Sequence, residues 1–332
     1  MEEYGDAMID RMRHIPHVLI PIALLCLPAT AAAQSFPSKP IRVIATATVG
    51  GGVDASARMV AQGFQDTFGQ PGVVDNRPGS GGAVGGDVVA KSAPDGHTLL
   101  AISISYAVLP HSHKNLPFNA ERDLAPVSVM VNGPNVLVAH PSLPVKNIKE
   151  LVAYARTRPG QIDYASSGSA SPSHLATEYL KLLTKIDLTH VPYKGTVPGI
   201  TDVIAGRVSL MFASVLSVKH HVDAGKLRML ATAGTKRAAG APDLPTIAES
   251  GVPGYAVDVW YALLAPAATP RPVIERLNET AMKTLRSPDN TKKLHAMGLE
   301  PAAEGLAATE AYIKSEIAKW GRVVQAAKIT AN

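Results

Sequence analysis

Two rhythms of apolar and polar positions alternate along the chain. The first is a short β-branched run, IRVIATA (41–47), which reads as a buried strand. The second begins at Ala57, where Ala57, Val60, Ala61, Phe64 and Phe68 recur at helical spacing until Gly69 ends the helix. GVVDNRPGSGG predicts a second strand and a glycine-rich turn, 83–91 a short helix, and PDG a turn before the strand HTLLAISIS. This βαβαβ order predicts a mostly parallel sheet with helices on both faces.

The segment 123–140 is rich in strand formers and is expected to carry the chain into another sheet. A second alternating unit follows. Asn147 caps the helix IKELVAYART, and IDYASSG is a strand leading to a helix over 172–183, with Leu175, Tyr179, Leu180 and Leu183 facing the core. LTHVPYKG, a helix over 199–205, VSLMFAS, a helix over 215–224 and LRMLATA continue the pattern. VDVWYALLAPA (257–267) reads as a return strand, and helices are expected over 271–285, 290–297 and 308–327. Two α/β halves, each opening a helix with a Gly/Ser-rich turn, imply two lobes facing each other across a cleft. Both turns fall at the carboxyl ends of strands, where open α/β sheets bind ligands.

The N-terminus changes the picture. Arg11 and Arg13 precede an apolar run of about ten residues, too short for a membrane span of roughly 20. Small residues at Ala31 and Ala33 complete a secretory signal, with cleavage expected after Ala33 and translation starting at Met1, Met8 or Met12. The protein is therefore expected in the periplasm. The single cysteine, Cys26, falls inside the signal and Leu25 precedes it, so neither a lipid anchor nor a thiol site is expected in the mature chain. Removing 1–33 takes two basic and four acidic residues from the totals of 32 and 27, so the net charge rises from +5 to (32 − 2) − (27 − 4) = +7. The positive charge is dispersed and aromatics are only 5%, which argues against nucleic acid as a partner.

Two loops carry the candidate chemistry. In TVGGGVDASAR, Gly50, Gly52 and Ala55 match a permissive dinucleotide fingerprint, with Asp75 at the end of the second strand. Asp54 would repel a pyrophosphate there, and export removes the chain from soluble nicotinamide cofactors. The alternative is a tight turn in which Asp54 caps the helix. In YASSGSASPSHL, hydroxyls lead into a helix capped by Ser171 with Pro172 at its first position. First-turn N–H groups and hydroxyls can hold a carboxylate without a basic side chain. No G-x-S-x-G elbow occurs, and His174 is expected to orient the loop. His111, His113, His220 and His221 lack metal-ligand spacing and read as surface residues. No cofactor, metal or catalytic residue is expected. The alternative is an exported hydrolase using the Ser/His pair of this loop.

With these segments in hand, the chain resembles the Bug-type solute-binding receptors of tripartite tricarboxylate transporters. The resemblance rests on an ordered series that includes PSKPIRVI, GGGVDASAR, VVDNRPGSGGAVGGDVVAKSAPDGHTLL, IDYASSGSASPSHLATEYL and VPYKGTVPGITDVIAGRVSLMF. It implies an α/β, type II periplasmic binding protein-like fold, with lobe 1 formed by 34–133 and 257–332 and lobe 2 by 134–256. It implies a non-catalytic, monomeric receptor for a small carboxylate (a di- or tricarboxylate, aromatic acid or amino acid) that serves a membrane permease or a sensor. Ligand contacts would map onto Gly51, Gly52, Val53 and Asp54, onto Ser80 and Ser103, and in lobe 2 onto Ser166, Ser167, Gly168, Ser169, Ser171, Tyr193, Lys194 and Gly195. The chain departs from the family pattern at Thr46-Ala47-Thr48-Val49, where prolines and an aromatic are usual. It departs again at Ala170, in place of glycine, and at Ala213-Ser214, where an Asp is common.

Overall fold

The computed structural model describes residues 36–113, 115–302, 304–327 and 329. The signal segment and Cys26 lie outside the described residues. In chain order the elements are β1 (Ile41–Ala45), α1 (Gly52–Phe68), β2 (Gly72–Asn76), α2 (Ala83–Ala90), β3 (Thr98–Ser103), α3 (Leu109–Ser112) and β4 (Leu124–Ala139). Next come α4 (Ile148–Arg156), β5 (Asp163–Ser166), α5 (Pro172–Thr184), β6 (Thr189–Pro192), α6 (Thr196–Ile204), β7 (Leu210–Ser214), α7 (Val215–Asp223) and β8 (Arg228–Thr232). The chain closes with β9 (Asp258–Pro266), α8 (Arg271–Leu285), α9 (Pro288–Ala296), β10 (Glu300–Pro301) and α10 (Leu306–Ala327).

Strand β4 joins the two sheets. Its residues 124–134 pair with β9, and its residues 135–139 pair with β7, with β8 along the other side. The first sheet runs β2-β1-β3-β9-β4 with β10 beside β4, and the second runs β6-β5-β7-β4-β8. Pairing is parallel in the outer strands β2-β1-β3 and β6-β5-β7, where the βαβ connections lie, and antiparallel where β4 and β9 run through. The chain returns near residue 257. Val257 N–H donates to Ala233 O of the second sheet at 2.9 Å, and the next residue, Asp258, pairs with Pro134 in the first.

Burial on both sheet faces explains the apolar strand composition. Ile41, Val43 and Ala45 pack with Val60, Phe64 and Leu277 from α1 and α8, while Ile44 joins the core that contains Val89 of α2. That second core is continuous between lobes. The indole N–H groups of Trp260 and Trp320 donate to Glu316 at 2.7 and 3.0 Å, and Trp320 meets Tyr179 of α5 edge-on at 6.1 Å.

Local differences from the sequence reading have physical causes. Helix α6 begins at Thr196 rather than 199, because Pro198 falls in its first turn, where a missing N–H costs no helical bond. Helix α9 likewise starts at Pro288, behind Ser287, whose hydroxyl accepts from Asn290 N–H. Leu183 is 38% exposed rather than in the core, since α5 turns that side to solvent. No helix among the described residues is long and apolar enough to cross a membrane.

Candidate functional site

A cavity of about 840 Å³ lies where the two sheets meet. Residues at four helix N-termini line it: Gly50 and Gly52 at α1, Pro172 and Ser173 at α5, Thr196 and Val197 at α6, and Ser214, Leu216 and Ser217 at α7. The N–H groups of a helix's first turn have no acceptor within their own helix and carry the positive end of its dipole. Among the described residues, the lining holds no Asp, Glu, Lys or Arg. Its titratable side chains are Tyr261, His220 and His221. Burial pushes the Tyr261 phenol up to about 12, so it stays protonated and can donate.

The first-lobe turn is built around a used-up charge. Gly51 is the N-cap of α1, with no side chain capping it. Asp54 is therefore not the cap. It sits in the first turn and accepts from Gly50 N–H at 3.0 Å, from Asn76 Nδ2 at 2.9 Å and from Arg58 Nε at 3.1 Å. Burial pushes its carboxyl up, but these hydrogen bonds outweigh burial and hold it below the usual carboxylate range. Gly52 is required by close approach: a Cβ there would lie 2.5 Å from the Tyr261 ring and hydroxyl. Asp75, the acid of the dinucleotide reading, is tied to Arg42 and Arg77.

The second-lobe loop is held by neutral groups. Ser166 is fully buried, and its Oγ lies 2.6 Å from His190 Nε2. Ser167 N–H donates to Ser173 Oγ at 3.0 Å, and Ser171 caps α5 by accepting from His174 N–H. Ala170 takes a left-handed backbone (φ 56°) that favours glycine. Its N–H donates to His174 Nδ1 at 3.0 Å, and its carbonyl accepts from Ser105 Oγ of the first lobe at 3.1 Å. His174 thus orients the loop, as its position implies. Burial, then the neighbouring His190 and Lys181, push His174 down to about 3, so it is neutral; its ring stacks on His190 at 3.9 Å.

The sequence-derived residues divide by location. Gly52 and Ser167 line the cavity. Gly51, Ser171 and Gly195 cap the helices whose first turns line it. Val53 and Asp54 are buried beneath the turn, Ser80 and Ser169 are exposed, and Lys194 is exposed beside the start of α6. Gly168, at φ 130°, turns the loop between Ser167 and Ser169. Ser103 caps a 3-10 turn over Ile104–Val108, and the Tyr193 hydroxyl donates to Asp202 at 2.7 Å. The serine loop supplies Ser167 with no base: its hydroxyl faces Ser173, not His174.

Several lining residues escaped the sequence reading. Tyr261 comes from the return strand, 209 positions after Gly52 (261 − 52), and Met297, Gly298 and Leu299 follow α9. His220 and His221, which read as surface residues, both line the cavity, their rings 3.6 Å apart. The helical spacing of Ser214, Ser217 and His221 was the available signal.

Comparison with known proteins agrees with this architecture. Residues 56–329 match the family model described as "Tripartite tricarboxylate transporter family receptor". The chain belongs to this family. Protein BugT of Bordetella pertussis is 36% identical over 306 residues, covering 92% of this chain and 94% of BugT. Among solved structures, R. palustris Rpa4515 with adipate superposes at a TM-score of 0.78 with 34% identity, over 89% of this chain and 99% of that one. MatC from Rhodopseudomonas palustris with bound malate gives 0.75 with 30% identity, over 87% and 100%. The fold is thus the two-lobed α/β solute-binding fold of Bug-type receptors.

Proposed function

We propose that this receptor captures a small organic carboxylate in the interlobe cavity, in the periplasm, and presents it to a tripartite tricarboxylate-type permease or to a sensor. One observation carries the reading: four helix N-termini and several hydroxyls converge on a cavity whose walls, among the described residues, hold no Asp, Glu, Lys or Arg. Donors fixed by the backbone suit an anion, and unpaired amides in a low-dielectric cleft favour one strongly. Each hydrogen bond to a charged oxygen adds roughly 1.5–3 kcal/mol, so three or four suffice for micromolar binding at about −8 kcal/mol. The adipate and malate of the two solved relatives are ligands of the same chemical kind. Contacts from both lobes coexist only when the lobes are closed, so binding is expected to stabilise the closed form.

The test is isothermal titration calorimetry and thermal melting against di- and tricarboxylates, aromatic acids and amino acids. An acid present at about 100 times its Kd should add about 2.7 kcal/mol of stability. A chain whose melting none of these acids shifts contradicts the proposal.

A further inference from the structure

Helix α7 runs lengthwise along the cavity. Ser214, Ser217 and His221 recur at spacings of three and four on one helix face, with Leu216 and His220 beside them, and all five line the cavity. From Ser214 to His221 the helix rises about 10 Å. Hydroxyls and free amides therefore mark one end of this wall and two imidazoles mark the other. A diacid with four to six carbons between its carboxylates is of comparable length, at about 1.5 Å per C–C bond. The surface between is apolar: Leu216 and Val197 line the cavity and are 57% and 75% exposed, and Ile200 and Ile204 lie alongside. An aliphatic spacer would cover them.

On the carboxylate-receptor reading, we propose that His220 and His221 hold the far carboxylate of a bound diacid by taking up a proton. They are the imidazoles of the described lining, and imidazole is the side chain type whose charge changes near neutral pH. They sit in the last turn of α7, where the helix dipole favours positive charge. Without ligand, burial, His220 and Lys226 push His221 below the ordinary histidine range. On the same helix Lys219 is paired with Asp223, and from the facing walls the remaining titratable group is Tyr261. Among the described residues, no lining carboxylate competes for the imidazoles. An arriving carboxylate supplies the missing counter-charge, so binding draws a proton onto the pair.

The experiment titrates the wild type, His220→Gln, His221→Gln and the double variant with straight-chain diacids from succinate to suberate and with the matching monoacids. Calorimetry is run near pH 6.5 and pH 8, in buffers of different ionisation enthalpy. At least one diacid should bind about tenfold more tightly than its monoacid, tighten about threefold or more from about pH 8 to 6.5, and take up a fraction of a proton. The double variant should bind that diacid like the monoacid, with no pH slope beyond the monoacid's. A diacid preference and slope that survive in the double variant, or monoacids that bind as tightly as diacids, overturn this inference and leave the receptor reading standing. Binding of no acid in either series overturns both.

Discussion

The two loops that face the cavity do the same job with opposite materials. In the first lobe, a buried Asp54 organises the turn by accepting from Gly50, Asn76 and Arg58, so its charge is consumed within the lobe. In the second lobe, hydroxyls and neutral imidazoles hold the chain, with Ser166 on His190 and Ala170 on His174. The difference shows that a charge beside the cavity need not be aimed into it. Asp54 fixes the turn that brings Gly50 and Gly52 to the wall, while Ser167 and Ser173 of the other lobe supply hydroxyls to the wall itself.

Substitutions can break that contrast, beginning with the largest effect. Gly52→Ala places a methyl 2.5 Å from Tyr261 and should cost about 3 kcal/mol of stability by overpacking, read by urea unfolding, with affinity reduced as Tyr261 moves. Full stability would mean that the Tyr261 contact is not tight.

Acid should probe the second lobe. The unfolded chain protonates His174 below about pH 6.5 while the folded chain resists until about 3, so its contribution is complete above about 6.5 and is lost as pH falls. That loss approaches about 2 kcal/mol near pH 5. Melting of the wild type should drop more steeply between about pH 7 and 5 than melting of His174→Gln, and equal slopes would contradict a buried neutral imidazole.

Asp54→Ala should cost about 2 kcal/mol of stability by leaving Gly50 N–H and Asn76 without their acceptor. If the carboxylate is purely structural, calorimetry on the folded fraction should show a smaller change in affinity than in stability. Ser167→Ala should do the reverse, weakening acid binding by about 1–2 kcal/mol with melting little changed. The smallest effect is expected from Ala170→Gly, which relieves a left-handed alanine and should raise stability by up to about 1 kcal/mol without touching affinity.

The alternation of strands and helices, the caps at Asn147 and Ser171, and the crossing at 123–140 were legible in the sequence because each is a local signal. Ser167 and Gly52 were legible for the same reason: both sit where a strand meets a helix. Asp54 was misread as a cap, since its real partner Asn76 lies 22 residues on and is brought close by the β1–β2 pairing. Tyr261 and the 297–299 segment were invisible, because their approach depends on β9 and β4 running through the fold and on where α9 then ends. His220 is exposed and His221 half-buried, in keeping with surface residues, but that both face the cavity depends on which side of α7 meets the other lobe, which spacing alone does not show.

The most direct measurement is a crystal structure of the protein with a bound diacid that calorimetry has shown to bind. One carboxylate is expected between α1 and α5, within about 3.2 Å of backbone amides and serine or tyrosine hydroxyls, with no lysine or arginine in contact. A carboxylate clamped by Lys194 or an arginine, or seated outside the interlobe cavity, would contradict that expectation.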